Sequence, residues 1–453
     1  MTAPWPGGWV TSRLDLTLTD GSSPVGLTLP RLVGLAVRRN PRRAHLLVSA
    51  VLGKHVPTDP RLVYGSALLL GRLVADTLQP GPAGPGERAG AFVEAALRGE
   101  PGAAAGLRNL LTAHRRVIGA VVVGYAETAT ALGHGVADGM GEAVYLHSTR
   151  RPVAGVTPYG GFEEEHSHAT SHLLLPVPAG LLEYDGPLVL VDDELSTGKT
   201  VRNTLRALHA VRPRDHYVVA ALTDLRGEAD RAAMRALEQE FDARVDVVSL
   251  VTGSVVLPPD VLAAGQELVA RIERETSGTP GAMGRPLGGV RRVALGWPAG
   301  VPDGGRHGFL PEHREQLEKE LPGMAARLES ALPDGARRVL VLGFEELMYA
   351  PLRLAEALAD LLEDTDVRYS TTTRSPVLAV DDPAYAIRDR LVFPSHDDPA
   401  DGPGERYAYN VDQGFDAVVV VVDEAGDTPE LERGLVHEVR SLGTEVLVAV
   451  VPS

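Results

Sequence analysis

Short apolar runs rich in valine and leucine recur in both halves of the chain, and helical patterns separate several of them. Near-continuous runs of this kind are typical of strands in a parallel sheet that is covered on both faces. Helical patterns at residues 201–211 and 431–442 follow two of the runs. The alternation predicts an α/β architecture built from strand–helix–strand units. The predicted strands lie at residues 117–123, 187–191, 217–222, 339–342, 417–422 and 445–451.

The length of the chain, 453 residues, exceeds what one ordinary core holds, so two domains are expected. Residues 276–289 are rich in Gly, Pro, Ser and Thr and have no apolar periodicity, which is typical of a linker. We therefore place the first domain at residues 1–270, the linker at 271–290 and a smaller second α/β domain at 291–453. A similar stretch at 79–90 is interpreted as a loop inside the first domain.

Composition excludes several classes of function. The sequence has no cysteine, which excludes disulfides, thiolate catalysis and cysteine-ligated zinc. Its net charge of −16 argues against a broad surface for nucleic acid, although a local basic patch is compatible with that total. The first residues lack a basic segment followed by an apolar block, and the longest apolar runs are too short to span a bilayer. We expect a cytoplasmic protein without a membrane partner.

A faint internal repeat connects the two predicted domains. Three landmarks occur in the same order: a strand that runs into a glycine, a Thr-Arg-x-Pro-Val segment, and an apolar strand that ends in aspartate. They lie at residues 124–127, 145–153 and 189–192 in the first domain, and at 343–346, 369–377 and 420–423 in the second. The repeat predicts that the second domain is a degenerate copy of the first.

Adjacent carboxylates and a small, hydroxyl-bearing loop separate one predicted strand from the helix that follows it. After residues 187–191 come Asp192, Asp193, Glu194, Leu195, Ser196, Thr197, Gly198, Lys199 and Thr200. Gly198 permits close approach of the backbone, and the amides at the start of a helix attract an anion. The segment therefore predicts a phosphate site.

Two kinds of phosphate ligand compete for this segment. Gly198, Lys199 and Thr200 match the end of a P-loop, but that motif requires a glycine five positions before Gly198, where this chain has Asp193. A carboxylate at that position would repel a triphosphate. A sugar phosphate fits better, because Asp192 and Asp193 can bind vicinal hydroxyls while the loop holds the terminal phosphate.

Residues 191–200 resemble the PRPP-binding signature of type I phosphoribosyltransferases. Other segments are similar to the phosphoribosyltransferase found in bacterial tellurium-resistance and stress gene neighbourhoods, namely residues 40–43, 53–57, 124–129, 148–150 and 164–169. The tetrapeptide Thr-Arg-Ser-Pro at 373–376 is similar to the one that names the TRSP domain, which follows that transferase. The resemblance implies a type I phosphoribosyltransferase fold, a Rossmann-like parallel sheet, followed by a TRSP-like α/β domain.

The activity that the resemblance implies is transfer of the phosphoribosyl group of PRPP to a base-like acceptor, with release of pyrophosphate. Magnesium would bind together with PRPP, through protein ligands that the sequence does not identify. Related enzymes are often dimers, so a homodimer is expected. The alternative is a regulatory protein that binds PRPP or a nucleotide without turnover. An RNA-binding module is opposed by the acidic total.

The resemblance assigns PRPP to residues 192–200 and pyrophosphate to the loop of Gly124, Tyr125, Ala126, Glu127 and Thr128. Glu127 is unusual there, since a carboxylate beside pyrophosphate needs a magnesium ion or a water molecule between them. The expected catalytic residues are Asp192, Asp193, Arg150, Arg151, His166 and His168. The two arginines would clamp pyrophosphate oxygens.

Residues 145–172 form a long polar segment that we expect to be a lid. Closure would exclude water from the oxocarbenium-like centre at C1 of PRPP. His166, His168 and His172 have three open interpretations: they bind or protonate departing pyrophosphate, they ligate a metal ion, or they are solvated loop residues.

Lys54 and His55 follow an apolar run at 44–52 that we interpret as helical. They either reach the substrates or lie at a helix C-terminus, where cations are favoured. We place the hood that recognises the acceptor among residues 12–31 and near residues 249–257.

The second predicted domain lacks the phosphate loop. Glu424 and Asp427 add negative charge where the 5-phosphate would sit, so we expect that this domain has lost PRPP binding. Glu346, Arg374 and Ser375 form a candidate site there. The alternative for Arg374 is a structural turn, because Pro376 fixes the backbone.

Overall fold

The computed structural model of the chain describes residues 4–40, 43–81, 84–151, 153, 156–163, 171–276, 285–397 and 404–452. Its strands are β1 (Thr17–Asp20), β2 (Val33–Val37), β3 (His45–Ser49), β4 (Val121–Gly124), β5 (Val144–His147), β6 (Gly160–Glu163), β7 (Ser171–Leu174), β8 (Leu188–Leu195), β9 (His216–Asp224), β10 (Arg244–Val256), β11 (Val290–Val293), β12 (Arg338–Gly343), β13 (Asp366–Thr371), β14 (Arg390–Pro394), β15 (Glu405–Tyr409), β16 (Ala417–Asp423) and β17 (Glu445–Val451). Its α-helices are α1 (Gly8–Leu14), α2 (Leu29–Leu32), α3 (Pro60–Leu78), α4 (Gly86–Leu97), α5 (Ala103–Ala113), α6 (Thr130–Met140), α7 (Lys199–Val211), α8 (Glu228–Phe241), α9 (Val261–Thr276), α10 (Pro311–Ala331), α11 (Tyr349–Leu361), α12 (Pro429–Leu431) and α13 (His437–Ser441).

The first domain is built on a six-stranded sheet with the order β1-β10-β9-β8-β4-β5. Neighbouring strands are parallel except for β1 and β10. The chain leaves β4, forms β5 on one side of it, and returns as β8 on the other side. The carboxyl ends of β4 and β8 therefore flank a topological switch point, which is where open α/β sheets bind ligands.

The second domain repeats this arrangement. Its five-stranded sheet has the order β11-β17-β16-β12-β13, and all neighbouring strands are parallel. The order β13-β12-β16-β17 corresponds to β5-β4-β8-β9 of the first domain. A second switch point thus lies between β12 and β16. Both domains are α/β, as the sequence predicts.

The connection between the second and third strands of each repeat contains an antiparallel hairpin, β6–β7 in the first domain and β14–β15 in the second. In each domain the second hairpin strand forms an isolated bridge with the turn that carries the Thr-Arg pair. Thr149 bridges Leu173, and Thr373 bridges Tyr407. These shared details support the predicted internal repeat.

Each domain contributes a segment that bridges a strand of the other domain, and the two contacts are equivalent in the repeat. Thr58, just before α3, bridges Tyr369 of β13 in the second domain, and Phe309, just before α10, bridges Tyr145 of β5 in the first. One hydrophobic core contains side chains of both domains, and the buried carboxylate of Asp138 on α6 accepts a hydrogen bond from Tyr349 of α11 at 2.7 Å. This reciprocal contact has the character of a two-fold interface within a single chain.

Most predicted strands are present with shifted ends. The strand at 445–451 matches β17, whereas β8 extends beyond residue 191 to Leu195, and β4 begins at Val121 because Val117 is exposed. The helical interpretation of residues 44–52 is wrong: they contain β3, which pairs with β2 as an antiparallel hairpin. A short continuous apolar run does not by its periodicity distinguish a buried strand from a helix.

The structure also bears on the predicted boundary of the first domain and on the two stretches of the predicted hood. Helix α9 runs to Thr276, beyond the predicted boundary at 270, and residues 277–284 of the predicted linker lie outside the described residues. The two stretches expected to form the hood do meet, because β1 pairs with β10. Among the described helices, none combines the length and apolar character needed to cross a bilayer.

Candidate active site

The acid pair lies at the carboxyl end of β8, beside the first switch point. Asp192 and Asp193 are half-buried, and the amide N–H of Asp193 donates to Oδ1 of Asp192 at 2.9 Å. Burial and the charge of Glu194 raise the pKa of the Asp193 carboxyl, while Lys54 opposes the shift. Among the described residues, Asp193 has no salt-bridge partner. The Asp193 carboxylate therefore forms no ion pair with another described residue.

Glu194 points away from the phosphate loop toward the β2–β3 hairpin. Its Oε1 lies 2.5 Å from Nη2 of Arg43, and this charge raises the pKa of the Arg43 guanidinium. The same pair lies near the buried His45, whose pKa is lowered to about 4 by burial and by the charge of Arg43. Glu194 thus ties the acid pair to the hairpin rather than to the ligand.

The predicted phosphate loop lies between the end of β8 and the start of α7. Ser196 and Thr197 are exposed, and Gly198 caps α7 with a positive φ of 66°. A Cβ at Gly198 would lie 3.1 Å from Cδ of Arg226, so the loop also needs the small residue for space. The side chains of Ser196 and Thr197 therefore face solvent beside the start of α7, where the amide of Lys199 donates to Oγ1 of Thr197 at 3.3 Å.

The second predicted loop adjoins the first across the switch point. The amide of Tyr125 donates to the carbonyl of Val191 at 3.1 Å, and the amide of Ala126 donates to Oγ of Ser148 at 3.0 Å. These bonds fix residues 124–128 between the ends of β8 and β5. The two loops that would hold PRPP at its opposite ends are therefore neighbours.

Glu127 of this loop makes several charged and hydrogen-bonding contacts. Its buried carboxylate lies 3.3 Å from Nζ of Lys54 and 3.4 Å from Nε of Arg374, and it accepts a hydrogen bond of 3.1 Å from Oγ1 of Thr373. Burial alone would raise the pKa of Glu127, but the charges of Lys54, Arg150 and Arg374 lower it to about 2. The carboxylate is thus ionised, and two of its partners belong to the second domain.

Comparison with known families assigns both domains. Residues 32–254 match the family described as phosphoribosyl transferase, and residues 303–439 match the TRSP domain described as C-terminal to that transferase. We call residues 32–254 the phosphoribosyltransferase domain and residues 303–439 the TRSP domain, after the families that they resemble. Comparison with the curated proteins found no match.

Several solved structures that are similar to about a third of this chain are adenine phosphoribosyltransferases. The one from Trypanosoma brucei is 15% identical over 32% of this chain and 63% of its own, with a TM-score of 0.23. Those from Giardia lamblia and Rhodothermus marinus are 20% and 17% identical over 32% of this chain, cover 79% and 78% of their own lengths, and have TM-scores of 0.22. The match spans less than two thirds of the Trypanosoma brucei chain, and such distant similarity says nothing about the acceptor.

The structure separates the two arginines that the sequence places in one clamp. Arg150 remains at the phosphoribosyltransferase site, where its charge acts on Glu127 and its Nη2 lies 3.5 Å from Nε2 of His172. Arg151 instead reaches into the TRSP domain, with Nη2 2.8 Å from Asp397 and Nη1 3.4 Å from Asp423. That placement does not favour the expected clamp by Arg151.

The predicted lid histidines are described only in part. His166 and His168 lie outside the described residues. His172 is buried, and its Nδ1 lies 2.8 Å from Oγ of Ser148, the hydroxyl that accepts from Ala126. His172 therefore supports the predicted pyrophosphate loop, residues 124–128, from the side of the β6–β7 hairpin.

The corresponding acid of the TRSP domain is buried and paired with arginines. Asp423, at the end of β16, is fully buried, and both Arg151 and Arg306 lie 3.4 Å from its Oδ2. Glu346 accepts hydrogen bonds from Oγ1 of Thr149 at 2.8 Å and from the amide of Arg150 at 3.1 Å. Ion pairs with arginine therefore occupy the place where a ribose diol would bind, which supports the expected loss of PRPP binding.

Ser375 and Thr373 organise the TRSP turn. The amide of Ser375 donates to Oγ1 of Thr373 at 3.2 Å, and Oγ of Ser375 accepts from Nη2 of Arg38 at 3.3 Å. Thr373 was not among the candidate residues from the sequence, although it is the repeat equivalent of Thr149. Aligning the two Thr-Arg pairs is the signal that would have identified it.

Proposed function

We propose that the phosphoribosyltransferase domain transfers the phosphoribosyl group of PRPP to a ring nitrogen of a base-like acceptor and releases pyrophosphate. The observation that supports this proposal is the position of Asp192 and Asp193, which stand at the switch point between the phosphate loop and the loop of residues 124–128. Three features that a sugar diphosphate needs are thereby adjacent: an acid pair, an anion site at a helix start, and a second loop for the leaving group.

Each part of PRPP has a partner in this arrangement. Asp192 and Asp193 accept hydrogen bonds from the ribose 2- and 3-hydroxyls. Ser196, Thr197 and the start of α7 hold the 5-phosphate, and residues 124–128 hold pyrophosphate. The bond from C1 to the pyrophosphate oxygen breaks with its electron pair on pyrophosphate, the acceptor nitrogen bonds to C1, and the nitrogen's proton passes to water. The protein contributes by positioning these groups and by neutralising the leaving charge.

Magnesium fits this site through the substrate rather than through a protein cage. No group of three or more His, Asp or Glu side chains suited to a metal occurs in the described residues. Asp192 and Asp193 offer the hard oxygen atoms that magnesium accepts beside phosphate oxygens. When bound with PRPP, the ion would reduce the negative charge of pyrophosphate.

The calorimetric test replaces both acids with the isosteric amides, Asp192→Asn and Asp193→Asn. Charged hydrogen bonds contribute about 1.5–3 kcal/mol each, so PRPP–magnesium should bind at least about 100-fold more weakly. Asp242→Asn is the control, since Asp242 is exposed at the end of α8 with a φ of 49° that asparagine tolerates. Unchanged affinity in the double variant would remove the assignment.

A regulatory protein that senses PRPP is a second candidate, favoured by one contact. Glu127 of the pyrophosphate loop is bound by Thr373 and Arg374 of the TRSP domain, so a ligand at this loop would alter contacts between the domains. Pyrophosphate release in the presence of candidate bases distinguishes the two functions. An enzyme releases one pyrophosphate for each nucleotide formed, whereas a sensor releases none.

A further inference from the structure

The backbone amides of the predicted pyrophosphate loop differ between the two copies of the fold. In the part of the chain that the structure describes, the amide N–H groups of Glu127 and Thr128 have no hydrogen-bond partner. The repeat equivalent of Thr128 is Leu347, and its amide donates to the carbonyl of Phe344 at 2.8 Å. Successive backbone N–H groups in a turn form anion-binding sites in proteins. The first loop offers two such groups, whereas the second loop folds back on itself.

One buried hydroxyl holds the turn that carries these two amides. Oγ of Ser148 accepts a hydrogen bond from the amide of Ala126 at 3.0 Å, and Ser148 is fully buried. Ala126 directly precedes Glu127, so this bond sets the direction in which the chain enters the loop. Ser148 follows β5 directly, and the loop is therefore tied to the neighbouring strand.

The TRSP domain contains the same contact at the equivalent place. Oγ1 of Thr372 accepts from the amide of Glu345 at 3.2 Å, and Thr372 is also fully buried. Thr372 corresponds to Ser148, and Glu345 corresponds to Ala126. The hydroxyl is thus common to both copies, and it does not by itself leave the loop amides open.

A histidine holds this hydroxyl in the phosphoribosyltransferase domain, and an arginine takes its place in the TRSP domain. Nδ1 of His172 lies 2.8 Å from Oγ of Ser148, and both side chains are fully buried. The isolated bridges of the two hairpins align His172 with Arg406, which forms an ion pair with Glu345 instead. Because an amide only donates, Oγ of Ser148 is the acceptor from the loop, and its own proton is available to Nδ1 of His172.

We propose that Ser148 and His172 are positioning residues of the pyrophosphate site. His172 fixes the Ser148 hydroxyl, and this hydroxyl orients the loop so that the amides of Glu127 and Thr128 reach the leaving group. The inference rests on the proposed function and adds two residues that act on the ligand only through the loop. Since the contact is shielded from solvent, water does not replace a partner that is removed.

The first experiment measures two ligands by calorimetry with Ser148→Ala and Ser148→Thr. Loss of one neutral hydrogen bond corresponds to about a three- to tenfold change in affinity, so Ser148→Ala should bind inorganic pyrophosphate with magnesium more weakly by that factor. Ser148→Thr keeps the hydroxyl and should bind pyrophosphate within about twofold of the wild-type protein. Ribose 5-phosphate, which has no pyrophosphate, should bind normally to both variants. Equal weakening of both ligands, or no recovery with threonine, would overturn the role of Ser148.

The matched control is Thr372→Val, which removes the equivalent hydroxyl from the TRSP domain. Each variant deletes one fully buried hydrogen bond at the same place in the fold, so urea-induced unfolding should show similar losses of stability. Only Ser148→Ala should weaken the binding of pyrophosphate. Equal weakening by Thr372→Val would mean that general destabilisation, and not the orientation of the loop, lowers the affinity.

The second experiment tests His172 with His172→Asn and His172→Gln. The side-chain amide of asparagine reaches the position of Nδ1 and can still accept from Ser148, whereas that of glutamine lies nearer to the position of Nε2. The asparagine variant should therefore bind pyrophosphate more tightly than the glutamine variant. Because His172 acts through Ser148, the double variant Ser148→Ala, His172→Gln should bind no more weakly than Ser148→Ala. Additive losses, or equal affinities of the asparagine and glutamine variants, would reject the role of His172.

The outcomes separate this inference from the proposed function. If the protein binds PRPP and loses it in Asp192→Asn, Asp193→Asn while Ser148→Ala binds pyrophosphate normally, the proposed function stands and the positioning role fails. If the wild-type protein binds neither PRPP nor ribose 5-phosphate, the proposed function itself fails.

Discussion

The two switch points of this molecule have the same topology, but the acids at them differ in burial and in ion pairing. At the first, Asp192 and Asp193 are half-buried and open toward a phosphate loop. At the second, Asp423 is fully buried and lies within 3.4 Å of both Arg151 and Arg306. The acids of one copy are partly exposed to solvent, and the acid of the other is paired with one arginine from each domain.

Each domain directs one arginine into the other, and these two arginines contribute to the difference between the switch points. Arg151 of the phosphoribosyltransferase domain is directed into the TRSP domain, and Arg374 of the TRSP domain is directed to the pyrophosphate loop. Each domain therefore supplies a cation that the other needs.

The largest expected effect is on stability at the closed switch point. Arg151→Ala should lower the free energy of unfolding by about 3–5 kcal/mol, because it leaves the buried carboxylates of Asp397 and Asp423 with less compensation. Urea-induced unfolding measures this loss. Arg433→Ala, an exposed ion pair with Glu430, should change stability by less than about 0.5 kcal/mol. Equal, small effects of both variants would show that the second switch point is not a structural lock.

Thr149 and Thr373 are equivalent in the repeat and allow the two switch points to be compared by matched substitutions. Thr149→Val and Thr373→Val each remove one hydrogen bond to a buried glutamate, Glu346 and Glu127 respectively, and each should cost about 1–3 kcal/mol of stability. Chemical unfolding gives both values. Only Thr373→Val should alter the affinity for pyrophosphate, and an equal change in Thr149→Val would mean that the closed site is coupled to ligand binding.

Sequence reasoning reached the fold because its signals are local. The valine-rich strands and the segment at 192–200 carry their own local patterns. In the structure this segment comprises the end of β8, the residues 196–198 and the start of α7. The hairpin formed by β2 and β3 was interpreted as a helix, because a short apolar run fits either period and the pairing partner decides between them.

The parts of the site that were missed depend on contacts between distant segments. Thr373 and Glu127 are 246 residues apart, and no local pattern predicts that they share a hydrogen bond. The same holds for Arg151, whose partners Asp397 and Asp423 belong to the other domain. The expected homodimer, the tellurium-resistance context and the roles of His166 and His168 stay predictions.

A further expected effect is a pH dependence that belongs to Glu127. Its pKa is lowered to about 2 in the folded protein, from an ordinary value of 4.5, so the folded state favours the ionised form. The corresponding stability is fully present above pH 4.5 and is lost as the pH falls toward 2. Unfolding by urea at pH 5, 4 and 3 should therefore show a steeper loss in the wild-type protein than in Glu127→Gln. Carboxylates that Glu127 does not influence titrate in both proteins and cancel in the difference. Glu345 is the exception, because the charge of Glu127 contributes to its raised pKa. Parallel pH profiles for the two proteins would mean that Lys54, Arg150 and Arg374 do not act on the Glu127 charge, and the contrast between the open and the closed switch point would lose its electrostatic basis.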